Sequence, residues 1–372
     1  MQIYESLRFR EKESNIKSHS FSSSMLIAEK LLNDTQLYKG YEKQLRDRNG
    51  DPLHILFIGF GMRNQKLALQ ILNLGHFLTK RKMRFTILDR NKKEVEKEWS
   101  FLAKQSHHIA DIQFGKIDLQ KKVLSTTMHS LGVDIKQVTH VYISLQDNFL
   151  DTIEGLELEV KDNVPIFVKI NDNPNICQWL KEKGIINKNI KPYPTLDDVL
   201  TSEYVLNEIL IENARKAHSI YLERKEIIGK RTESDKDWEE LSTFKQESTR
   251  YQILHNGTKL MLLGLKKVGK EKQTFKNKNI NYDQFDEYIE PYIDSLARVE
   301  HERWNTFHFL RGWKTAPLND QRPKEELDKL KLHKCLVPWE DLSEEYKEYD
   351  RECIRNLINF YNLDKEYIIK DK

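Results

Sequence analysis

The chain has 372 residues, with 61 basic and 58 acidic side chains and a formal net charge of +3. This balance, with 32% charged residues, is typical of a solvated globular protein and argues against a polyelectrolyte that binds nucleic acid. The three cysteines (Cys177, Cys335 and Cys353) have no CxxC spacing, which favours a reducing cytoplasm over a disulfide framework or a structural zinc site. The sequence also lacks an apolar run of the roughly 18–20 residues that cross a membrane and the apolar core of a signal peptide. We therefore expect a cytoplasmic protein of two domains with a short extension.

The first fifty residues are polar and irregular. Ser18–Ser24 holds five serines in seven positions and is typical of a flexible segment. Apolar residues at helical spacing predict a short docking helix over Met25–Leu37. Arg46–Pro52 is rich in turn formers and predicts a boundary near residue 50.

A change of pattern at His54 marks the start of a first domain, expected over residues 51–203. His54–Ile58 is a short, continuous apolar run, which is typical of a strand buried on both faces of a parallel sheet. It leads into Gly59–Asn64, then a helical pattern, then a second strand, Arg84–Leu88, followed by Asp89. This order predicts the first βαβ unit of a dinucleotide-binding fold.

The residue types at this turn fit a bound nucleotide. Gly59 permits a tight turn, Gly61 lets the backbone approach a phosphate at a helix N-terminus, and Asp89 is positioned to accept hydrogen bonds from ribose hydroxyls. The third glycine of the pattern is replaced by Asn64, and Asp89 lies 28 residues past Gly61, further than usual. A Rossmann-like scaffold that has lost its ligand therefore stays an open interpretation.

The same alternation of strands and helices continues to about residue 200. Further strands are predicted over Ile109–Phe114, Val138–Leu145 and Val164–Ile170. Helices are predicted over Lys92–Gln105, Lys121–Leu131, Leu150–Val160 and Asn175–Lys183. Together they predict an α/β fold with a doubly wound parallel sheet and right-handed crossovers.

Residues 54–200 resemble the NAD-binding N-terminal domain of TrkA-type regulators of potassium transport. The resemblance rests on Gly59-Phe60-Gly61, Leu88-Asp89, Gly115–Asp118, Tyr142–Asp147, Val164–Ile166 and Lys169–Asp172. It implies that Gly59, Gly61, Asp89 and Ser144 line a nucleotide cleft, with Gly115 and Asp118 near its adenine side. The full predicted site for NAD or a related adenine nucleotide is Gly59, Gly61, Met62, Asn64, Asp89, Arg90, Asp118 and Ser144. By analogy alone, such domains imply a homodimer.

The C-terminal part contains an internal repeat. Trp238-Glu239-Glu240-Leu241-Ser242, followed by Arg250, recurs as Trp339-Glu340-Asp341-Leu342-Ser343, followed by Arg351. Each copy has a histidine on a predicted upstream helix, His218 and His301, and the second copy has an insertion around Pro317–Lys331. We interpret the region as one supersecondary unit used twice.

These residues resemble a RyR domain, the module named for its tandem copies in ryanodine receptors, over roughly residues 205–362. The resemblance rests mainly on Leu296–Trp304, Gly312-Trp313, His333 and Leu336–Glu340, and in the first half on Ala214–Tyr221 and Glu247–Arg250. It implies a mainly α-helical domain over 204–364, with halves at about 204–262 and 283–364. The family has no established chemistry and is regarded as a ligand-recognition or interaction module. Thr249 and the basic connector Lys266–Lys278, which we interpret as a solvated loop, depart from its pattern.

A ligand pocket between the two halves is one interpretation of the matched polar residues, with arginine for a phosphate or carboxylate and tryptophan for stacking. A purely structural role for them is the alternative, with Trp304 packed in the core and Arg250 and Arg351 paired with nearby acids. A zinc site is rejected because Asn305 stands where HExxH needs a second histidine, and His308 is two turns away. The hypothetical pocket comprises His218, Arg250, Glu300, His301, Arg303, Trp304, Trp339 and Arg351.

Three functions follow from this sequence. The first is a non-catalytic nucleotide sensor whose Rossmann-like domain acts on the RyR module, with a protein partner or channel as output, in ion transport or bacterial antiviral signalling. The second is an NAD-dependent oxidoreductase that uses His218 or His301. The third is an interaction scaffold with a vestigial nucleotide site.

Overall fold

The computed structural model describes residues 22–117, 124–145, 160–170, 178, 180–185, 189–201, 208–233, 235–269, 280, 282–317, 319–361 and 366–371. Its N-terminal part is built on a parallel sheet of six strands in the order β3-β2-β1-β4-β5-β6. This order fits a Rossmann-like fold. The strands are β1 (His54–Ile58), β2 (Met83–Asp89), β3 (Ala110–Lys116), β4 (His140–Ile143), β5 (Ile166–Val168) and β6 (Ile190–Pro192).

The central strands are buried on both faces, as their continuous apolar sequences predict. All five residues of β1 are buried. Phe57 and Tyr142 stack on one face of the sheet, and Leu56 and Val141 belong to the core of the other face. The alternation of side chains along each strand therefore feeds two separate cores.

Six helices accompany this sheet within the described residues. α1 packs on α3, and β2 is followed by α4. The helices are α1 (Ser23–Thr35), α2 (Glu42–Arg46), α3 (Met62–Leu74), α4 (Lys92–Leu102), α5 (Leu124–Ser130) and α6 (Leu196–Val199).

The C-terminal part is mainly helical. α7 packs on α8, α8 on α11, and α11 on α13. The helices are α7 (Glu208–Ile227), α8 (Thr243–Leu254), α9 (Asn256–Leu262), α10 (Tyr282–Ile289), α11 (Ile293–Leu310), α12 (Lys324–Lys329) and α13 (Glu344–Arg355). None of the helices that the structure describes is both long and apolar enough to cross a membrane.

Both copies of the Trp-Glu-x-Leu-Ser sequence form the same local structure. Trp238–Glu240 and Trp339–Asp341 are single 3₁₀ turns, and the serine that follows each is the N-cap of a 12-residue helix. The tryptophan and the leucine of each copy are buried. These residues therefore fix the start of α8 and of α13.

Several predicted boundaries differ from the structure. β4 and β5 are shorter than predicted, because β4 pairs with β1 only over His140–Ile143 and β5 pairs with β4 only over Ile166–Val168. Residues 150–159, nearly all of one predicted helix, and four of the nine residues of the predicted helix Asn175–Lys183 lie outside the described residues.

The basic connector Lys266–Lys278 was predicted to be a solvated loop, and for its first residues this is wrong. β7 (Leu265–Gly269) pairs antiparallel with β10 (Glu366–Lys370). Its Lys266 and Lys267 side chains are exposed, as in a solvated loop, while Leu265 is buried. The backbone is nevertheless a strand because it pairs with β10. A short parallel ladder joins β8 (Lys314–Thr315) to β9 (Leu332–His333).

One hydrophobic core joins the Rossmann-like part to the helical part. It extends from Ile27 and Phe57 to Leu296 and Ile368, and α3 packs directly against α8 and α11. Polar contacts reinforce the junction: Arg46 Nε donates to the Met261 carbonyl at 2.7 Å. Helix α3, which begins at the glycine turn, therefore also packs against the C-terminal helical region.

Candidate functional sites

The glycine turn follows β1 at the point where the strand order reverses, between β1 and β4. Gly59 has a φ of +75°, and a Cβ there would lie 2.4 Å from the Ser144 carbonyl oxygen. Only glycine fits this close approach of two strand ends. Gly61, by contrast, is the N-cap of α3 with no side-chain cap, and no described residue beyond its chain neighbours comes within 4 Å of its Cβ position. The described residues thus leave space beside an uncapped helix N-terminus, where an anion is favoured.

Asp89 lies at the end of β2 and holds the glycine turn. Its Oδ2 accepts from the Phe60 backbone N–H at 2.6 Å, and its Oδ1 accepts from the Asn91 backbone N–H at 2.8 Å. Each carboxylate oxygen can accept more than one hydrogen bond. The side chain therefore has both a structural role and remaining capacity for a ribose hydroxyl.

Asn64, which replaces the third glycine, is fully buried. Its Nδ2 donates to the Gly59 carbonyl at 2.6 Å and to the Tyr142 carbonyl at 3.3 Å, and its Oδ1 accepts from the Tyr193 hydroxyl at 2.6 Å. The amide side chain thus fastens α3 to β1, to β4 and to the residue after β6. It is directed at the protein, so any contact of this residue with a ligand would have to come from its backbone.

The other residues of the predicted nucleotide site take varied positions. Met62 is 67% exposed at the start of α3, Arg90 is exposed after β2, and Ser144 is half-buried after β4. Asp118 lies outside the described residues. The structure thus brings Gly59, Gly61, Asp89 and Ser144 to one edge of the sheet.

A second candidate site is a cavity of about 650 Å³ between the two halves of the helical region, here named the C-terminal cavity. Helices α7 and α8 line one side, and α11, α12 and α13 line the other. Nine of its lining side chains are basic and six are acidic, so the cavity favours an anionic or neutral ligand over a cation. Five of the eight residues predicted for a pocket line it: His218, Glu300, His301, Arg303 and Trp304.

Glu300 and Arg303, which line the C-terminal cavity, form a buried cluster of charges with Lys259. Glu300 Oε1 accepts from Arg303 Nη2 at 2.8 Å, and Glu300 Oε2 lies 2.8 Å from Lys259 Nζ. Burial alone would raise the pKa of Glu300, but the two cations outweigh it and hold the pKa at about 2. The trio carries a net positive charge, and Arg303 Nη1 is buried with no hydrogen-bond partner among the described residues.

His301 is held by partners on both ring nitrogens. Nδ1 lies 3.2 Å from Asp350 Oδ2, and Nε2 lies 2.9 Å from the Val337 carbonyl oxygen. Burial would lower the pKa of His301, but the carboxylate and the carbonyl together raise it. Both ring nitrogens therefore face a hydrogen-bond acceptor, and neither is open to act on a ligand.

Three residues of the predicted pocket lie outside the cavity. Arg351 donates to Asp294 at 2.6 Å, to Glu344 at 3.1 Å and to Glu348 at 3.3 Å. Trp339 is buried against the His301 ring. Arg250 is half-buried on α8, close enough to lower the pKa of Glu29, which burial raises. The structural alternative therefore describes the surroundings of Trp339 and Arg351, whereas Arg250 Nε is buried without a hydrogen-bond partner among the described residues.

The cavity is also lined by aromatic side chains that were not among the residues predicted for the pocket. They include Phe244, His308, Trp313 and His333. His308 follows Trp304 by one helical turn, and this i, i+4 spacing was a signal that could have placed both side chains on one face. Among the described residues, no group of three or more histidine, cysteine or acidic side chains could hold a metal ion.

Comparison with known proteins finds a family match for the second half of the helical region. Residues 277–366 match the family model of the RyR domain. This segment holds α10 to α13 and therefore the Glu300–Arg303 part of the cavity. No curated protein matches the chain.

Proposed function

We propose that this protein is a non-catalytic cytoplasmic sensor with two ligand sites. A Rossmann-like domain of the TrkA type binds NAD(H) or another adenine nucleotide at the glycine turn. A RyR module built from two pseudo-repeats binds a second small ligand in the C-terminal cavity. The output would be a protein partner, such as a channel or an antiviral effector.

The observation that carries this proposal is the double role of α3. The helix begins at Gly61, where a nucleotide phosphate would lie, and it packs against α11, which carries Glu300 and Arg303. At the end of α3, Arg311 Nη1 lies 3.4 Å from Asn73 Oδ1. A small displacement of α3 on nucleotide binding would therefore reach the cavity through packed side chains.

Coupling of this kind requires a difference in affinity. A nucleotide can change the cavity only if it binds one arrangement of α3 and α11 better than another. The close-packed core between the two helices favours discrete arrangements over continuous deformation. The proposal thus needs no contact between the two ligands.

The oxidoreductase alternative is not favoured by the histidines that it requires. His218 Nε2 lies 2.8 Å from the Lys236 carbonyl oxygen, and His301 is held on both nitrogens. Both residues line the C-terminal cavity. Neither therefore supports general acid–base chemistry at a nicotinamide bound to the glycine turn.

Two substitutions at Gly61 test the nucleotide site. The backbone there has φ −69° and ψ −177°, and its Cβ position is open, so Gly61→Asp and Gly61→Asn should both fold and both provide a good N-cap. Only the aspartate adds a negative charge where a phosphate would bind. In isothermal titrations with NAD and ATP, we expect sub-millimolar binding to the wild type, a loss of roughly tenfold or more in Gly61→Asp, and a smaller loss in Gly61→Asn.

Equal affinities in the two variants would remove the glycine turn from the proposal, as would the absence of sub-millimolar binding of either nucleotide to the wild type. Coupling is measured separately, as a change in hydrogen exchange of the α11 amides when nucleotide is added to the wild type. An interaction scaffold with a vestigial site would show no such change, and its partner binding would survive Gly61→Asp.

A further inference from the structure

One end of the C-terminal cavity is a cluster of aromatic rings around His308. Its ring centroid lies 4.0 Å from that of Trp304, 5.3 Å from Trp313 and 6.2 Å from His333. Phe244 stacks on Trp313 at 5.1 Å. Flat apolar faces of this kind accept a flat aromatic ligand.

The hydrogen-bonding polarity of His308 is fixed by its own helix. Nδ1 lies 2.8 Å from the Trp304 carbonyl oxygen, and a carbonyl can only accept, so the proton is on Nδ1. Burial lowers the pKa of His308 to about 3, which keeps the ring neutral. Nε2 is therefore an acceptor, and it has no hydrogen-bond partner among the residues that the structure describes.

His333 has the opposite polarity. Its Nδ1 accepts from the Cys335 backbone N–H at 3.1 Å, so in the neutral ring the proton is on Nε2. Burial lowers the pKa of this ring to about 4. His333 Nε2–H is therefore a donor, and no described residue accepts from it.

The third unused group is Arg303 Nη1. The Arg303 side chain is 1% exposed, its Nε and Nη2 are spent on Glu300, and Nη1 has no partner within the described chain. A buried donor without a partner costs free energy unless a ligand or water satisfies it. The cavity thus offers one acceptor and one donor of fixed polarity beside stacking surfaces, while Arg303 Nη1 remains a buried donor without a partner among the described residues.

We propose that the C-terminal cavity takes an uncharged, amino-bearing nitrogen heterocycle, the chemistry of an adenine or cytosine ring. The amino group donates to His308 Nε2, and a ring nitrogen accepts from His333 Nε2–H. A charged ring is disfavoured because both histidines are neutral and the site is desolvated. The inference rests on the proposed function only in assigning a ligand to this cavity.

The test compares two nucleosides that differ in one group. Adenosine carries the exocyclic amine, and purine riboside has the same sugar and ring without it. In equilibrium titrations of the full chain, we expect adenosine to bind about tenfold more tightly or more, because purine riboside leaves the His308 acceptor unpaired. Cytidine should bind as well, since it presents the same donor beside a ring nitrogen.

Two variants show whether the difference arises in this cavity. His308→Phe keeps a flat ring and removes the acceptor, so the ratio of the two affinities should fall to about one. His333→Phe removes the donor that both nucleosides use, so both should weaken while their ratio stays unchanged. Gly61→Asp should leave the ratio at its wild-type value, which separates this result from failure at the glycine turn.

Three results would overturn the inference. One is equal affinity of adenosine and purine riboside for the wild type. Another is a ratio that survives in folded His308→Phe. The third is the absence of sub-millimolar binding of both adenosine and cytidine to the wild type, whose fold is verified by circular dichroism.

Discussion

Asn64 stands where the nucleotide-binding pattern has its third glycine, and it joins α3 to the sheet by hydrogen bonds of its side chain. A glycine at this position lets a helix approach a strand closely. Asn64 instead fills the space between α3 and the sheet and satisfies two carbonyls and the Tyr193 hydroxyl. The departure from the glycine pattern therefore affects how the turn is held, and it leaves the open space at Gly61 unchanged.

Restoring the glycine should therefore destabilise the protein. Asn64→Gly removes all three hydrogen bonds and opens a buried gap, and we expect a loss of about 2–4 kcal/mol in the free energy of unfolding. Tyr193→Phe removes only one of those bonds and should cost about 1 kcal/mol. Urea unfolding of both variants and of the double variant checks this.

The double variant should be less destabilised than the sum of the two single variants, since they share a partner. A neutral Asn64→Gly would mean that the amide network contributes nothing to stability.

At the scale of elements, the buried charges join two helices from different halves of the C-terminal region. Lys259 comes from α9, and Glu300 and Arg303 come from α11. Lys259 also donates to the Asn256 side chain at 3.2 Å. Because one carboxylate serves two cations, the arrangement depends most strongly on Glu300.

Removing the carboxylate should cost more than removing one cation. Glu300→Gln leaves Lys259 and Arg303 buried together without a counter-charge, and we expect a loss of about 3–5 kcal/mol. Lys259→Met leaves the Glu300–Arg303 pair intact and should cost clearly less. Thermal or urea unfolding of the two variants measures the difference, and an equal or reversed order would contradict this account of the trio.

Sequence reasoning located the elements whose signal is local. The apolar runs of β1 and β2 and the Gly59–Gly61 turn predicted the βαβ unit, because burial on both faces of a strand leaves a continuous pattern. β7 and β10 were missed, since Lys266 and Lys267 look solvated and only pairing with a distant segment makes them a strand.

For the candidate pocket too, local sequence patterns do not show contacts between distant segments. The hypothetical pocket included Glu300 and Arg303, and both line the cavity in the structure. The sequence could not show that Arg351, matched to Arg250 in the repeat, is engaged by Asp294 from another helix. Nor could it fix the ring polarity of His308, which depends on which atoms lie beside each nitrogen.

At the scale of the whole molecule, a set of neutral histidines runs through both parts of the protein. Burial lowers the pKa of each of them well below the ordinary value of 6.5. Below pH 6.5 the unfolded chain therefore binds more protons than the native one, and stability falls as the pH falls. They are His54, His76, His140, His255, His308 and His333. His301 contributes to the pH dependence of stability in the opposite direction. Because its pKa is raised, it stabilises the native state at low pH, and this stabilisation is lost as the pH rises.

We expect the free energy of unfolding to fall steeply between pH 6.5 and about pH 4. His140 is fully buried, and its pKa is lowered to about 3, so His140→Phe should remove about 3 kcal/mol of that pH dependence. His129→Gln, at an exposed position, serves as the control and should leave the slope unchanged. Urea midpoints measured across this range test the prediction, and an unchanged slope in His140→Phe would contradict it.

The contact between α3 and α11 also constrains how the protein is made. A ribosome completes α3 at residue 74 but completes α11 only at residue 310. At about 5–20 residues per second, the nascent chain carries the uncovered surface of α3 for roughly ten to fifty seconds. The Rossmann-like part therefore emerges with an apolar flank that chaperones can bind before the rest of the polypeptide arrives to cover it.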